Sequence, residues 1–126
     1  MQTTLFESVP KTDVFQLFDQ RGRPDAKRIL GGLSFKNDDV AAAADIARTK
    51  VRFDEKMPVE LKERLIEWAT AINLVGQYFK DFNNTMIWFH TPNPMLGNQS
   101  PRDMIRIGRY RKLLKFIQTA LYENQK

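Results

Sequence analysis

The fold of this chain is decided by residues 58–79, which read PVELKERLIEWATAINLVGQYF. Proline is favourable in the first turn of a helix, so the segment is predicted to be a helix from Pro58 to about Phe79. Its apolar side chains recur four and three residues apart and therefore share one stripe: Leu61, Leu65, Trp68, Ile72, Val75 and Phe79. This spacing favours the core of the domain, and it leaves a helix-pair seam in a dimer open as the alternative.

Helical signals continue on both sides of this segment, whereas the alternating β-branched runs that are typical of strands are missing. Toward the N terminus we predict short helices at residues 12–18, at 24–30 with a stop at Gly31-Gly32, at 40–44 after capping residues 37–39, and at 47–53. Toward the C terminus we predict helices at 83–89, from Pro101 (capped by Ser100) to a break at Gly108, and at 109–122. Residues 86–89 are too apolar to be exposed. The expected fold is all-α, with about eight helices and no sheet.

The composition bounds the class of protein. A chain of 126 residues suits one domain or two small helical subdomains, and it has no apolar run of membrane-spanning length. Residues 1–10 lack the pattern of a secretory signal, and cysteine is absent, so a cytoplasmic location is expected.

The positive charge is concentrated at the C-terminal end of the chain. Residues 101–126 hold seven basic and two acidic side chains, and seven minus two equals the net charge of +5 of the whole chain. Such a patch favours an anionic partner, either nucleic acid or an acidic protein face, although a solvated helix face is the ordinary alternative.

Residues 40–52, which read VAAAADIARTKVR, resemble the helix-turn-helix of Xre/Cro-type regulators. In that arrangement the recognition helix presents Arg48, Thr49, Lys50 and Arg52 to DNA, where Arg suits guanine and Lys and Thr suit phosphates. Asp45 stands where the turn usually has Gly. A structural helix pair without DNA binding remains equally open.

A second set of residues is more specific. Trp88, Pro92-Asn93, Leu96-Gly97, Ser100-Pro101 and Gly108 occur in the order and spacing of the toxin-binding domain of Xre/MbcA/ParS antitoxins, which residues 68–122 resemble. Asn98 and Ala120 stand where family members often have Gly. A rigid loop is a common way to present contacts to a partner.

The resemblance implies a type II antitoxin that binds and blocks a RES-domain toxin acting on NAD and that represses its own operon. It divides the chain into a helix-turn-helix region at 1–57 and a toxin-binding domain at 58–126. The predicted partners are the toxin, operator DNA and a second copy of the chain, with no membrane. The predicted toxin contacts are Pro92, Asn93, Pro94, Met95, Leu96, Gly97, Asn98, Arg109, Arg111, Lys112 and Tyr122. Two alternatives stay open: a stand-alone regulator without a toxin, and an interaction module without DNA binding.

The sequence contains no strong pattern of catalytic residues. The single histidine, His90, follows an apolar helix, where a structural hydrogen bond is the ordinary role. Asp38-Asp39 suit a helix start, and Gly31-Gly32 lack the Gly-Lys-Ser/Thr ending of a phosphate loop. We therefore expect no catalytic residue, no metal and no cofactor.

Overall fold

A computed structural model describes residues 12–124. Within them the chain forms six α-helices and no strand, so the all-α prediction is confirmed and the expected number of about eight helices is too high. Two further segments, Arg48–Lys50 and Pro94–Leu96, are single 3₁₀ turns. The helices are α1 (Ala26–Leu33), α2 (Asn37–Ala44), α3 (Val59–Phe79), α4 (Phe82–His90), α5 (Pro101–Arg106) and α6 (Tyr110–Asn124). No helix of residues 12–124 is long and apolar enough to span a bilayer.

The apolar stripe of α3 is the core of the molecule. Leu61, Leu65 and Ile72 are completely buried, and Trp68 is 1% exposed. Helices α1, α2, α4 and α6 all pack against α3. The stripe is therefore covered by this chain's own helices, and the alternative of a dimer seam along it is wrong.

The predicted helix at residues 12–18 is wrong, because a side chain takes the backbone donors that a helix needs. The Asp13 carboxylate accepts hydrogen bonds from the backbone N–H groups of Leu17 (2.8 Å) and Phe18 (3.0 Å). The Asn73 amide of α3 donates to the same carboxylate at 3.0 Å. Gln16 has a φ of 54°, which no α-helix permits.

The predicted stop at Gly31-Gly32 is also wrong, since α1 continues through both glycines to Leu33 and ends at Ser34 with a left-handed φ of 56°. Instead, Gly32 allows α1 and α4 to pack closely against each other. A Cβ at this position would lie 2.9 Å from Phe82 Cζ and from Met86 Sδ, both on α4.

The predicted helix at residues 47–53 is reduced to the 3₁₀ turn Arg48–Lys50. Asp45 ends α2 with a φ of 56°, and the next residues are extended: Ala47 has a ψ of 142° and Val51 a ψ of 104°. The Asp54 carboxylate then accepts from the Lys56 backbone N–H at 3.0 Å, which fixes a turn after the segment. The second helix of the expected helix-turn-helix is thus absent as a helix.

The C-terminal predictions agree more closely with the structure. The Asp81 carboxylate caps α4, the Ser100 hydroxyl caps α5 by accepting from the Asp103 backbone N–H at 3.1 Å, and Gly108 separates α5 from α6 with a φ of 84°. One expectation fails on α4, because Ile87 is 62% exposed. Trp88 beside it is half-buried.

Two arginines of α5 form hydrogen bonds with α1 and its C-terminal end and with α2. Arg102 donates to the carbonyl oxygens of Leu33 (2.6 Å), the last residue of α1, and of Ser34 (2.9 Å), which follows it. Arg106 donates to the Asp39 carboxylate of α2 at 2.6 Å. These contacts fix the position of the α5–α6 junction relative to α2.

Candidate functional site

The loop between α4 and α5 is held by its own hydrogen bonds. The Asn93 side chain accepts from the Met95 backbone N–H at 2.9 Å, and its backbone carbonyl accepts from Leu96 and Asn98 at 2.9 and 3.0 Å. An isolated bridge pairs Asn93 with Gln99 across the loop. This network gives the loop one shape before any partner arrives.

Neighbouring side chains of the loop have opposite environments. Leu96 is 8% exposed and belongs to the core, whereas Met95 is 78% exposed. Leu96 therefore anchors the loop, and Met95 is the apolar group that it offers to solvent. Gly97 and Asn98 follow in the left-handed region with φ of 68° and 66°, in line with the expected tolerance of Asn98 for positive φ.

The predicted basic residues lie around the start of α6, with Arg109 directly before its first residue. Arg109, Arg111 and Lys112 are exposed, and their side chains have no ion pair within residues 12–124. Tyr110 points inward, where its hydroxyl donates to the Glu67 backbone carbonyl of α3 at 2.7 Å. Burial of this phenol raises its pKa well above the usual value, so the hydroxyl stays a proton donor at all ordinary pH values.

The other end of α6 borders an apolar groove of about 240 Å³. Its lining comes from α3, α4 and α6: Val75, Tyr78, Phe79, Trp88, Ile117, Ala120 and Leu121. Trp88 is thus one wall of a surface groove. Sequence reasoning missed Tyr78, which is 55% exposed, because it falls outside the apolar stripe of α3.

The predicted toxin contacts do not meet in one cavity. Ala120 and Leu121 line the groove, and Tyr122, 63% exposed, follows them, whereas Arg109, Arg111 and Lys112 line a different cleft of about 470 Å³. The loop residues line neither of these two cavities. Gln125 and Lys126 lie outside the described residues, as do residues 1–11.

The predicted DNA-binding residues are exposed, but two of them already have acidic partners. Arg48 forms an ion pair with Asp38 of α2. Arg52 donates twice to the Asp54 carboxylate, at 2.8 and 2.5 Å, and its side-chain hydrogen bond is the largest effect that holds the pKa of Asp54 below its usual value. Thr49 and Lys50 have no such partner among the described side chains.

His90 has the structural role expected of a lone histidine. Its Nε2 lies 2.9 Å from the Gly32 carbonyl oxygen and so joins α4 to α1. Within residues 12–124 no group of three His, Cys, Asp or Glu side chains is placed to hold a metal ion.

A helical scaffold that presents a preformed loop and a group of unpaired cations is typical of a protein that binds a macromolecular partner. Residues 75–111, which include this loop and the start of α6, match the family model of the antitoxin Xre/MbcA/ParS C-terminal toxin-binding domain. The resemblance stated from the sequence is therefore confirmed for these residues.

One solved structure is similar to the chain over a larger part of its length. A chain of the M. tuberculosis MbcT–MbcA toxin–antitoxin complex aligns with a TM-score of 0.47 and 22% identity, covering 74% of this chain and 89% of that chain. No curated protein matches the sequence.

Proposed function

We propose that this chain neutralises a RES-domain toxin that acts on NAD, by binding it and blocking its active site. The toxin contacts in this proposal are the loop Pro92–Asn98, the cations Arg109, Arg111 and Lys112, and Tyr122 near the end of α6. The observation that carries the proposal is the match of residues 75–111 to a toxin-binding domain. The matching family model describes a binding domain, so the proposal assigns no reaction to this chain.

The geometry of the loop supports a binding role. Because the Asn93 hydrogen bonds already order the loop, a partner that covers the exposed Met95 would lose little conformational entropy. The unpaired cations of α6 suit an acidic face on the toxin, since opposite charges speed association and select the partner.

Neutralisation is tested by growth and NAD content of cells that express the neighbouring toxin gene together with variants of this chain. The double variant Arg109→Glu/Arg111→Glu should release the toxin, and so should truncation after Leu121, which keeps the half-buried Leu121 in its groove. Both variants should keep the helical melt of the parent, because Arg109, Arg111, Tyr122 and Glu123 are exposed.

The matched control is Lys27→Glu/Lys62→Glu, which makes the same change in net charge at exposed positions on α1 and α3. It should protect as well as the parent. Protection by the α6 variants, or their unfolding, would show that the toxin interface lies elsewhere.

Autoregulation by DNA binding is the second part of the proposal, with residues 1–57 contacting operator DNA and two copies of the chain in the repressing complex. The exposure of Lys50 and Thr49 supports it. Lys50→Gln should weaken binding on all sequences and flatten the salt dependence, whereas Arg48→Ala should cost about 1–3 kcal/mol at the operator alone if Arg48 reads a guanine. Equal affinity for the promoter and for random duplex, with and without toxin, would leave the toxin-binding role alone.

A further inference from the structure

A cleft lies between the N-terminal and C-terminal helices of the molecule. It has a volume of about 470 Å³ and is bounded by the end of α2, the middle of α3 and the junction of α5 with α6. Its lining residues are Ala42, Ala43, Ala44, Asp45, Arg64, Glu67, Trp68, Ile107, Gly108, Arg109, Tyr110, Arg111 and Lys112. The ion pair of Arg106 with Asp39 lies beside it and holds α5 against α2.

The charges of this cleft are not balanced within the chain. Four cations line it against two carboxylates, Asp45 and Glu67, and four minus two leaves +2. Arg64 is already engaged, because its guanidinium lies 2.7 and 3.0 Å from the Glu67 carboxylate oxygens. The remaining cations, Arg109, Arg111 and Lys112, have no acidic partner among the described side chains and lie close together in the chain around the start of α6.

The cleft also offers apolar surface next to these cations. Ile107 is 48% exposed at the mouth, and on the α2 side the wall is made of short alanine side chains, of which Ala42 is exposed. An anionic side chain with an apolar neighbour matches this surface by charge and by shape. A DNA backbone matches it less well, because its closely spaced phosphates would also face Asp45 and Glu67 inside a concave wall.

We propose that this cleft binds an acidic segment of the toxin, with its carboxylates against Arg109, Arg111 and Lys112 and an apolar side chain against Ile107. The identity of the occupant rests on the proposed function, since residues 107–111 of the wall belong to the part that matches a toxin-binding domain. The new element is α2: its C-terminal turn forms the opposite wall, so the N-terminal half of the chain takes part in toxin binding.

The test uses Ala42, which faces the cleft from α2 and has no role in the contacts proposed for the loop or α6. Ala42→Glu places a carboxylate in the cleft, where it competes with the acidic segment, and Ala42→Gln is its uncharged control of the same size. In full-length chains with parental melting temperatures, the Glu variant should bind the purified toxin about tenfold more weakly, and the Gln variant within about twofold of the parent. Equal affinity of all three chains for the toxin would overturn the assignment of the cleft as a toxin-binding site while leaving the proposed function intact. Failure of the parent to bind the toxin would overturn both.

A second measurement identifies the chemistry of the occupant without the toxin. In amide NMR spectra of the full-length chain, octaglutamate should shift the signals of residues 107–112 and of Ala42, and Ala42→Glu should weaken that binding several-fold. A duplex of about 20 base pairs should leave the signals of residues 107–112 unchanged. A cleft that responds to the duplex and not to octaglutamate would be a nucleic-acid site and would overturn the proposal, as would a cleft that responds to neither.

Discussion

The aromatic ring of Phe15 lies directly on the backbone of α3 at Gly76. A Cβ at residue 76 would come within 2.6 Å of the ring carbon Cζ, so a side chain there has to displace the ring. The same ring packs edge-on against Phe82 of α4, with 5.1 Å between the ring centroids. Gly76 thus lets the segment before α1 close over two helices.

Two glycine substitutions should therefore change stability in opposite directions. Gly76→Ala should lower the free energy of unfolding by about 1–2 kcal/mol, because the displaced Phe15 ring outweighs the better helix propensity of alanine. Gly31→Ala, in α1, meets no atom within 4 Å and should raise it by up to about 1 kcal/mol. Urea unfolding followed by circular dichroism measures both, and a loss at both positions would contradict the contact at Gly76.

Asp39 should stabilise the fold in a pH-dependent way. The side-chain hydrogen bond from Arg106 is the largest effect that lowers its pKa below the usual 3.8, and the bond from the Lys36 backbone N–H adds to it. Because the folded pKa is the lower one, the carboxylate contributes fully above the unfolded value, and this contribution is lost as the pH falls through the folded pKa.

The variant Asp39→Asn isolates this contribution. At pH 7 it should lower the free energy of unfolding by about 1–2 kcal/mol, since it removes a charge-assisted hydrogen bond at the surface. The difference from the parent should stay constant down to about pH 5 and shrink below about pH 4. Urea titrations of both chains across this range measure it, and a difference that widens in acid would reverse the assigned role.

At the scale of elements, the sequence predicts those helices whose signals are local. The α3 stripe and the Ser100 cap are complete within a few turns of chain, and both appear in the structure. The helix prediction for residues 12–18 fails because their conformation depends on a hydrogen bond between Asp13 and Asn73, which lie 60 residues apart. The helix prediction for residues 47–53 fails for a similar reason. Arg48 pairs with Asp38 in the preceding helix, and the Asp54 carboxylate fixes the turn that follows.

The loop between α4 and α5 should be sensitive to backbone conformation at two adjacent positions. Gly97 has a φ of 68° with no atom within 4 Å of a would-be Cβ, so Gly97→Ala tests conformation alone and should cost about 1 kcal/mol. Asn98, with a φ of 66°, is also left-handed, and Asn98→Gly should be neutral or slightly stabilising. Thermal unfolding of both variants measures this, and equal losses would indicate that the Asn98 side chain holds the loop.

At the scale of the whole molecule, the sequence predicts which residues contact the toxin, whereas the structure shows how these residues are grouped. The loop and the cations around the start of α6 were predicted from the resemblance and from charge, and they are exposed except for the buried anchor Leu96 and the half-buried Asn93. The cleft that α6 shares with Ala42 and Arg64 depends on how α2 and α3 pack against the α5–α6 junction, and no local pattern encodes that packing.

The distribution of charge over the molecule predicts how toxin binding depends on salt. All of the net charge of +5 is accounted for by residues 101–126, so steering toward an acidic toxin should come from one end of the chain. The association rate should therefore fall about tenfold or more between about 50 mM and about 500 mM salt, as the Debye length shrinks below the spacing of the charges, while the dissociation rate changes less.

The variants separate this local effect from the total charge. Arg109→Glu/Arg111→Glu should abolish most of the salt dependence, whereas Lys27→Glu/Lys62→Glu, with the same net charge, should keep it, because its substitutions lie on α1 and α3. Surface plasmon resonance across the salt series measures both rates for the three chains. If the two double variants lose the salt dependence of the association rate equally, electrostatic steering follows net charge alone. Arg109 and Arg111 would then contribute no more to association than the exposed cations of α1 and α3.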